Sequence, residues 1–426
     1  MRKDRNGLRI TGVLIIVCLA CLCGAAQGED ANDDGSETDL DVALKFGAFF
    51  SYGPDDEVLF PERDSALGLG RVRLTINHRF NRTANAQIAY EHQVQAVSHG
   101  ATLGLGGGVL PSFADPAYRI TPLADEIVDE TRTFTWRHEL DRALVALHPD
   151  WGEVTLGRQA IGLGRGVIFG SVDIFAPFSP LEVDREWRQG VDAARFEYRL
   201  SPTSSVELLG AFGESWDDSA LLARCRGYVG RFDGEIIAGK RGQDAMCAGV
   251  LSAFVGGAEM HGEIAVLNTP EEQADGGLFG NERLVSRATL GASYTLNIGN
   301  GLNVLGEYQH NGLGVRDPED LLPRLTDPDF QKRLLRGDMR ITGRHGLALQ
   351  ASYPINNAWS GALLLVGSPK DGSGVGSPSL SWDVSDHVTL DAVGFVPWGS
   401  EPDRGILQSE YGGRPLALFL QVSMYY

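Results

Sequence analysis

Arg71, Arg73, Thr75, Asn77 and Arg79 occupy alternate positions of the stretch RVRLTINHRF (71–80), with Val72, Leu74, Ile76 and Phe80 between them. The same period recurs downstream. Arg195, Glu197 and Arg199 alternate with Phe196, Tyr198 and Leu200; Glu259, His261 and Glu263 with Met260 and Ile264; Arg287 and Thr289 lie opposite Leu290 and Tyr294. Strand side chains point alternately to two faces, so each stretch carries one charged face and one greasy face. Charged faces closing around water select ions by sign and size, and that is the chemistry this spacing points to. The wall residues so predicted are Arg71, Arg73, Arg79, Glu91, Arg137, Glu139, Asp141, Arg158, Arg195, Glu197, Arg199, Arg287, Arg340 and Arg344, joined by Glu259, His261, Glu263 and Glu307. The competing use of the same charges is pairing across neighbouring strands, which stiffens a wall.

Other chemistry is thin. The HGE stretch (261–263) lacks the helix and the second His of a zinc protease site, and no Gly-x-Ser-x-Gly is present. GLGLG at 68 and GLGRG at 162 have no following Gly-Lys-Ser, so they do not read as phosphate cradles. No metal, cofactor or catalytic set is therefore expected. His345 and Ser352 are the nearest thing to a lipid-acting dyad, and a surface adhesin carried by long loops is the other alternative. Nucleic acid is an improbable partner for a chain with a net charge of −19.

Alternation of this kind needs strands, and the connections say which strand architecture. Short turns such as FNRTA, SPTSS and VSDH alternate with long polar connections, among them 98–131, 160–187, 312–338 and 398–413. That layout predicts an all-β fold, a transmembrane antiparallel up-and-down barrel in an outer membrane of the Gram-negative type. Eighteen strands fit best, and sixteen result if 219–230 and 233–241 are loop. In the eighteen-strand version Cys225 and Cys247 lie two strands apart, beyond the reach of a disulfide; in the sixteen-strand version a bridge between them is expected. The loop from Ile161 to Arg188 is the candidate to fold inward, with Gly162, Gly164, Gly166 and Gly170 for tight bends, Phe169, Phe175 and Phe178 as anchors, and Arg165, Asp173, Asp184, Arg185 and Arg188 as charge. The stretch 317–335 has a helical look.

The ends complete this reading. Arg2, Lys3, Arg5 and Arg9, the apolar run 13–23 and the small residues 25–28 form an export signal. Cleavage after Gly28 removes four basic residues and one acidic one, taking the net charge from −19 to −22. Residues 29–40 are expected to be an acidic, disordered periplasmic lead-in, leaving 41–426 as the barrel. At the other end Leu416, Leu418, Leu420, Val422, Met424 and Tyr426 put an apolar group at every second position up to the last residue. In a barrel that strand must pair with the first and leave no edge.

This ending also resembles the terminal signature of bacterial outer-membrane proteins, which implies that Leu418, Leu420, Val422, Met424 and Tyr426 are read by the outer-membrane assembly machinery. The segment GRQAIGLGRGVIFGSVDIFAPFSPLEVDREWRQGVDAARFEY (157–198) resembles outer-membrane porins of the alginate-export type, and RVRLTINHRF adds a weaker likeness. The resemblance implies an eighteen-stranded pore passing small charged solutes or polysaccharide across the lipid bilayer. It also implies a mainly positive constriction, whereas here Arg137 alternates with Glu139 and Asp141.

Overall fold

The structure, a computed structural model, describes residues 36–98, 117–120, 126–131, 133–273 and 277–426. Its strands are β1 (Glu37–Tyr52), β2 (Asp64–Asn81), β3 (Ala84–Val97), β4 (Glu126–Glu130), β5 (Phe134–Leu147), β6 (Gly152–Gln159), β7 (Val191–Ser201), β8 (Ser204–Ala211), β9 (Ala220–Val229), β10 (Phe232–Arg241), β11 (Asp244–Val255), β12 (Ala258–Asn268), β13 (Leu284–Leu296), β14 (Leu302–Asn311), β15 (His345–Pro354), β16 (Trp359–Gly367), β17 (Gly374–Ser385), β18 (Val388–Trp398) and β19 (Leu416–Tyr425). Each pairs antiparallel with its neighbour in the chain, except that β3 passes over β4 to β5. The short β4 folds back on β5 at residues 135–138, beyond the stretch 143–147 where β5 pairs with β6. Eighteen strands thus form the ring, and the contested pair β9 and β10 belong to it along their full length.

Closure is made by the two ends of the chain. β1 pairs with β19 from Ala43–Tyr425 to Tyr52–Leu416, and Val42 and Tyr426 exchange backbone hydrogen bonds of 2.8 and 2.9 Å. No strand in the ring is left with an open edge, which a bilayer requires because it offers no water to an unpaired amide.

Period-two alternation now has a direction. Leu156 (54% exposed), Ile236 (65%), Leu290 (62%) and Leu418 (44%) point outward with their equivalents on the other strands. Keeping so many large apolar groups in water would forfeit about 2 kcal/mol apiece, and soluble monomers rarely expose apolar patches beyond a few hundred Å². A belt continuous around the ring therefore faces acyl chains. Aromatic rings edge it at the short-turn end, where Trp359 and Trp382 stack at 4.9 Å and Trp151 lies 5.3 Å from Phe196.

Inside, the end with the longer loops is packed like a soluble core. Ile161, Leu163, Val172, Ile174 and Phe175 of the β6–β7 loop bury against Leu222, Ile237, Val250 and Leu267 of the wall. Phe169 joins a second cluster with Phe49, Ile341, Phe395 and Phe419. The 317–335 stretch forms two short helices, α1 (Leu321–Arg324) and α2 (Pro328–Leu335), the second capped by Asp327, whose carboxylate accepts the Asp329 amide at 3.0 Å.

Two expectations are corrected, and the cysteine pair, left between two versions, follows the eighteen-strand one. Strand β1 begins at Glu37, so the lead-in cannot extend to residue 40: Glu37 to Leu40 already pair with Arg79 to Ile76. The export signal and residues 29–35 lie outside the described residues. Cys225 and Cys247 are both free; Cys225 sits opposite Ile236 and Cys247 opposite Ala238, with β10 between them. Finally, β15 starts at His345 rather than near 338, so Arg340 and Arg344 stand in the β14–β15 loop and not on a strand.

Candidate functional site

The inward face of β1, β2, β3 and β5 carries the densest charge in the barrel. Arg71 donates to Glu91 at 2.8 Å, Arg73 bonds the same carboxylate and also Asp141 at 2.7 Å, and Arg142 reaches Asp141 at 2.6 Å. Glu139 lies 2.8 Å from Arg119 and 3.5 Å from Arg137. Glu91, Glu139 and Asp141 are at most 1% exposed, which is tolerable only because each carboxylate is answered by guanidinium groups. Positions at equal height on adjacent strands do this work: Arg73 is opposite Glu91, and Gln93 opposite Arg137.

The other predicted wall residues are scattered. Arg195 pairs with Glu207 at 2.7 Å, and Glu197 with Arg226 at 2.7 Å; Arg199 continues that face, exposed, toward the short turns. Arg79 bonds Glu37 near the mouth. Arg158 is buried against Asp192 at 2.7 Å and the Leu140 carbonyl at 2.9 Å. Arg287 is fully buried and donates to the Gly170 carbonyl at 3.1 Å. Arg344 donates to the Gly314 carbonyl at 3.2 Å, and Arg340 has its guanidinium pKa lowered by burial, with Glu182 opposing. Leu418, Leu420 and Tyr426 are exposed on the outer face of β19, and Val422 and Met424 are half-buried there.

His345 and Ser352 do not meet. They are seven residues apart on one strand, roughly 23 Å along it and on opposite faces. His345 bonds the Tyr308 hydroxyl at 2.7 Å instead.

Sequence reasoning missed Lys45, Arg142, Glu207, Arg224, Arg226 and Glu235. Arg224 and Arg226 carried a usable signal, since they alternate with the outward Ala223 and Cys225. Arg224 bridges Glu207 at 3.2 Å and Glu235 at 2.7 Å.

The β6–β7 loop, 160–190, crosses the lumen and faces the charged wall. Its Trp187 ring lies 4.2 Å from Lys45 Nζ, 4.8 Å from the Arg71 guanidinium and 5.0 Å from that of Arg73. Its acids add to the grip: Asp184 takes Lys45 at 2.8 Å and Arg71 at 3.6 Å, and Glu186 takes Lys45 at 2.5 Å and the Tyr425 hydroxyl at 2.7 Å. Within the loop Arg188 pairs with Asp173 at 2.5 Å; burial pushes the Asp173 carboxyl up, and Arg188 opposes that shift. Between loop and wall lies a cavity of about 530 Å³, lined by Arg73, Arg142, Trp187, Glu186, Gln87 and Tyr425 among others. The opposite wall holds the same loop by Glu263 and Glu307, each accepting several loop amides. The arrangement presents a narrowed lumen with basic groups on one side, acids of the loop on the other, and aromatic surface between.

A second loop is anchored further round. Asp338, fully buried, bonds Arg241, and also Arg336 at 2.8 Å and Arg333 at 3.3 Å; Arg333 reaches Asp244 at 3.0 Å. Burial alone would raise the Asp338 pKa, but Arg241, Arg336 and Arg333 outweigh it and hold the carboxyl well below the ordinary range. Among the described residues no cluster of three or more His, Cys, Asp or Glu side chains could hold a metal ion.

No protein-family model and no curated protein matches this chain. Solved structures do. OccAB4 of Acinetobacter baumannii is 12% identical with a TM-score of 0.54, over 93% of this chain and 100% of its own. OccK9 (OpdG) of Pseudomonas aeruginosa is 10% identical at 0.55, over 91% and 98%. The outer membrane protein OpdK of Pseudomonas aeruginosa is 10% identical at 0.50, over 92% and 98%. At these identities the likeness is one of fold, and it spans nearly the whole of each chain: a single closed barrel of the kind seen in an outer membrane protein.

Proposed function

We propose that the chain is an outer-membrane channel passing small charged solutes along the wall formed by β1, β2, β3 and β5. The observation that carries this is the sidedness of the barrel: a continuous apolar belt outside, and inside it a charged wall facing the acids and Trp187 of an infolded loop across a cavity of about 530 Å³. Charge of that density inside a membrane barrel serves conduction or selection. Arg73 and Arg142 line the cavity, with Arg71, Glu91, Arg137, Glu139 and Asp141 as the network behind them; Arg195, Glu197, Arg199 and Arg79 line the wider mouth toward the short turns.

Small solutes suit this lumen better than polysaccharide. The loop end is filled by apolar packing, and cations of the wall are paired with acids rather than massed, so a polyanion meets no uncompensated positive ring. The short turns face the periplasm and the longer loops the exterior, as in this architecture generally. The terminal strand, with its outward Leu418, Leu420, Val422, Met424 and Tyr426, is the segment the assembly machinery would engage, since it is the last to pair and closes the ring. OpdK, whose fold this chain shares, is an outer membrane protein, which supports this placement.

The test is the full mature chain refolded into a planar bilayer. Stable single-channel steps with a defined ion preference support the reading, and insertion without conductance overturns it.

A further inference from the structure

Seven backbone amides of one short stretch of the β6–β7 loop end on two side chains of the far wall. Glu263 on β12 accepts the amides of Arg165 at 2.9 Å, Gly166 at 3.3 Å and Val172 at 3.1 Å, and that of Ser171 as well. Glu307 on β14 accepts Val167 at 2.7 Å, Ile168 at 3.0 Å and Phe169 at 2.8 Å. Of residues 165–172 only Gly170 places no amide on either carboxylate, and its carbonyl takes the Arg287 guanidinium at 3.1 Å. Successive amides that converge in this way form a concavity suited to an anion. Here the protein fills it with its own carboxylates, 4% and 3% exposed.

The loop's shape depends on this filling. Its backbone follows no regular ladder, so those amides have no intra-loop acceptors and would be buried unsatisfied without the two glutamates. Gly164, at φ +84°, passes so near Glu263 that a β-carbon there would collide with the carboxylate. Among the described residues no cation forms an ion pair with Glu263; its negative charge is met by amide dipoles, as an anion is met at a helix start. Glu307 has in addition His261 at 2.9 Å.

We infer that Glu263 and Glu307 are positioning residues that hold the constriction loop across the lumen by acting as built-in anions in a backbone anion site, and that the emptied site binds a small free carboxylate. The inference rests on the reading of this loop as the element that narrows the channel. The site itself does not depend on conduction, and the two can fail separately.

The experiment uses Glu263→Ala and Glu307→Ala in the full-length mature barrel, each studied in chloride and in acetate at equal ionic strength. Truncation to Ala removes the atoms of an acetate ion, so acetate fits the vacated space and benzoate does not. Hydrogen exchange of amides 165–172 in the refolded protein is the first readout. Wild-type amides should be protected, the Ala variants should exchange roughly tenfold faster or more, since several charge-assisted bonds are lost at once, and acetate but not benzoate should restore protection. Single-channel conductance is the second: it should rise in the variants and fall back with acetate. Glu307→Gln, which keeps the volume and loses the charge, should loosen the loop without acetate rescue; it also covers the case where an Ala variant fails to form a barrel. Folded variants with wild-type exchange, or Ala variants whose faster exchange acetate leaves unchanged, overturn the inference. A silent wild-type barrel in which exchange behaves as stated retires the channel and leaves the anion site standing.

Discussion

His261 reaches across β13 to put its Nε2 2.9 Å from Glu307 Oε1, and it can do so because the residue between them in the sheet is Gly291. A β-carbon at Gly291 would clash with the imidazole and stand 2.7 Å from Glu307 Cγ. Three strands thus share one row in which the missing side chain is as necessary as the two present. The row sits behind the loop that crosses the lumen, so its effect is transmitted to the passage through the Glu307 carboxylate.

Gly291→Ala should therefore displace His261 and Glu307 while leaving the ladder intact, costing about 1–3 kcal/mol in overpacking. The barrel is expected to form and to show a larger, noisier conductance than wild type. Unchanged current traces in a folded variant would separate this row from the loop.

At the wall, removing a cation beside the cavity should shift selectivity. Arg73→Ala deletes a partner of both Glu91 and Asp141 and uncovers acid in the lumen, so reversal potentials should move toward cation preference. Arg195→Ala, in the wider mouth with Glu207 as partner at 2.7 Å, should move them the same way by less. Equal reversal potentials in wild type and both variants would remove these arginines from the permeation path.

The Asp338 cluster makes a claim about acid. Its carboxyl lies well below the ordinary range in the folded protein because three guanidinium groups outweigh burial. A depressed folded value means that the stabilisation is complete above about pH 4, the unfolded value, and is lost only as pH falls through the folded one. Protease resistance of the 312–344 loop should thus hold from neutral pH down to about pH 4 as far as this cluster governs it. Asp338→Asn, leaving buried cations uncompensated, should cost on the order of 3–5 kcal/mol and appear as early cleavage in that loop at neutral pH.

Deleting Tyr426 removes the residue that closes the ring with Val42 through two backbone bonds, each worth about 1 kcal/mol, and an aromatic group at the bilayer edge. Assembly into membranes should drop sharply, read as loss of heat-modifiable migration on gels. Normal migration of the truncated chain would show that the last residue is dispensable.

Cys225 and Cys247 both face outward and are free. A membrane-permeant maleimide should label both in the folded barrel, and gel mobility should be the same with and without reductant.

How much of this was written in the order of residues can be traced strand by strand. Alternation marked the ring, weakly at β9 and β10, because an up-and-down barrel is built from neighbours in sequence and each strand declares its two faces locally. The inward turn of the 160–190 loop was announced by its glycines and by Phe169 and Phe175. What the linear chain left open depends on groups far apart along it. Nothing in Glu263 or Glu307 says that seven amides nearly a hundred residues or more away will end on them, and nothing in Arg340 says that its segment leaves the strand to follow Asp338 toward Arg241. Local periodicity sets which way a side chain points, and so it determined the barrel; the pairing of buried charges is settled only when the wall curves round and brings distant strands and loops within hydrogen-bonding reach, and that curvature belongs to the closed ring as a whole.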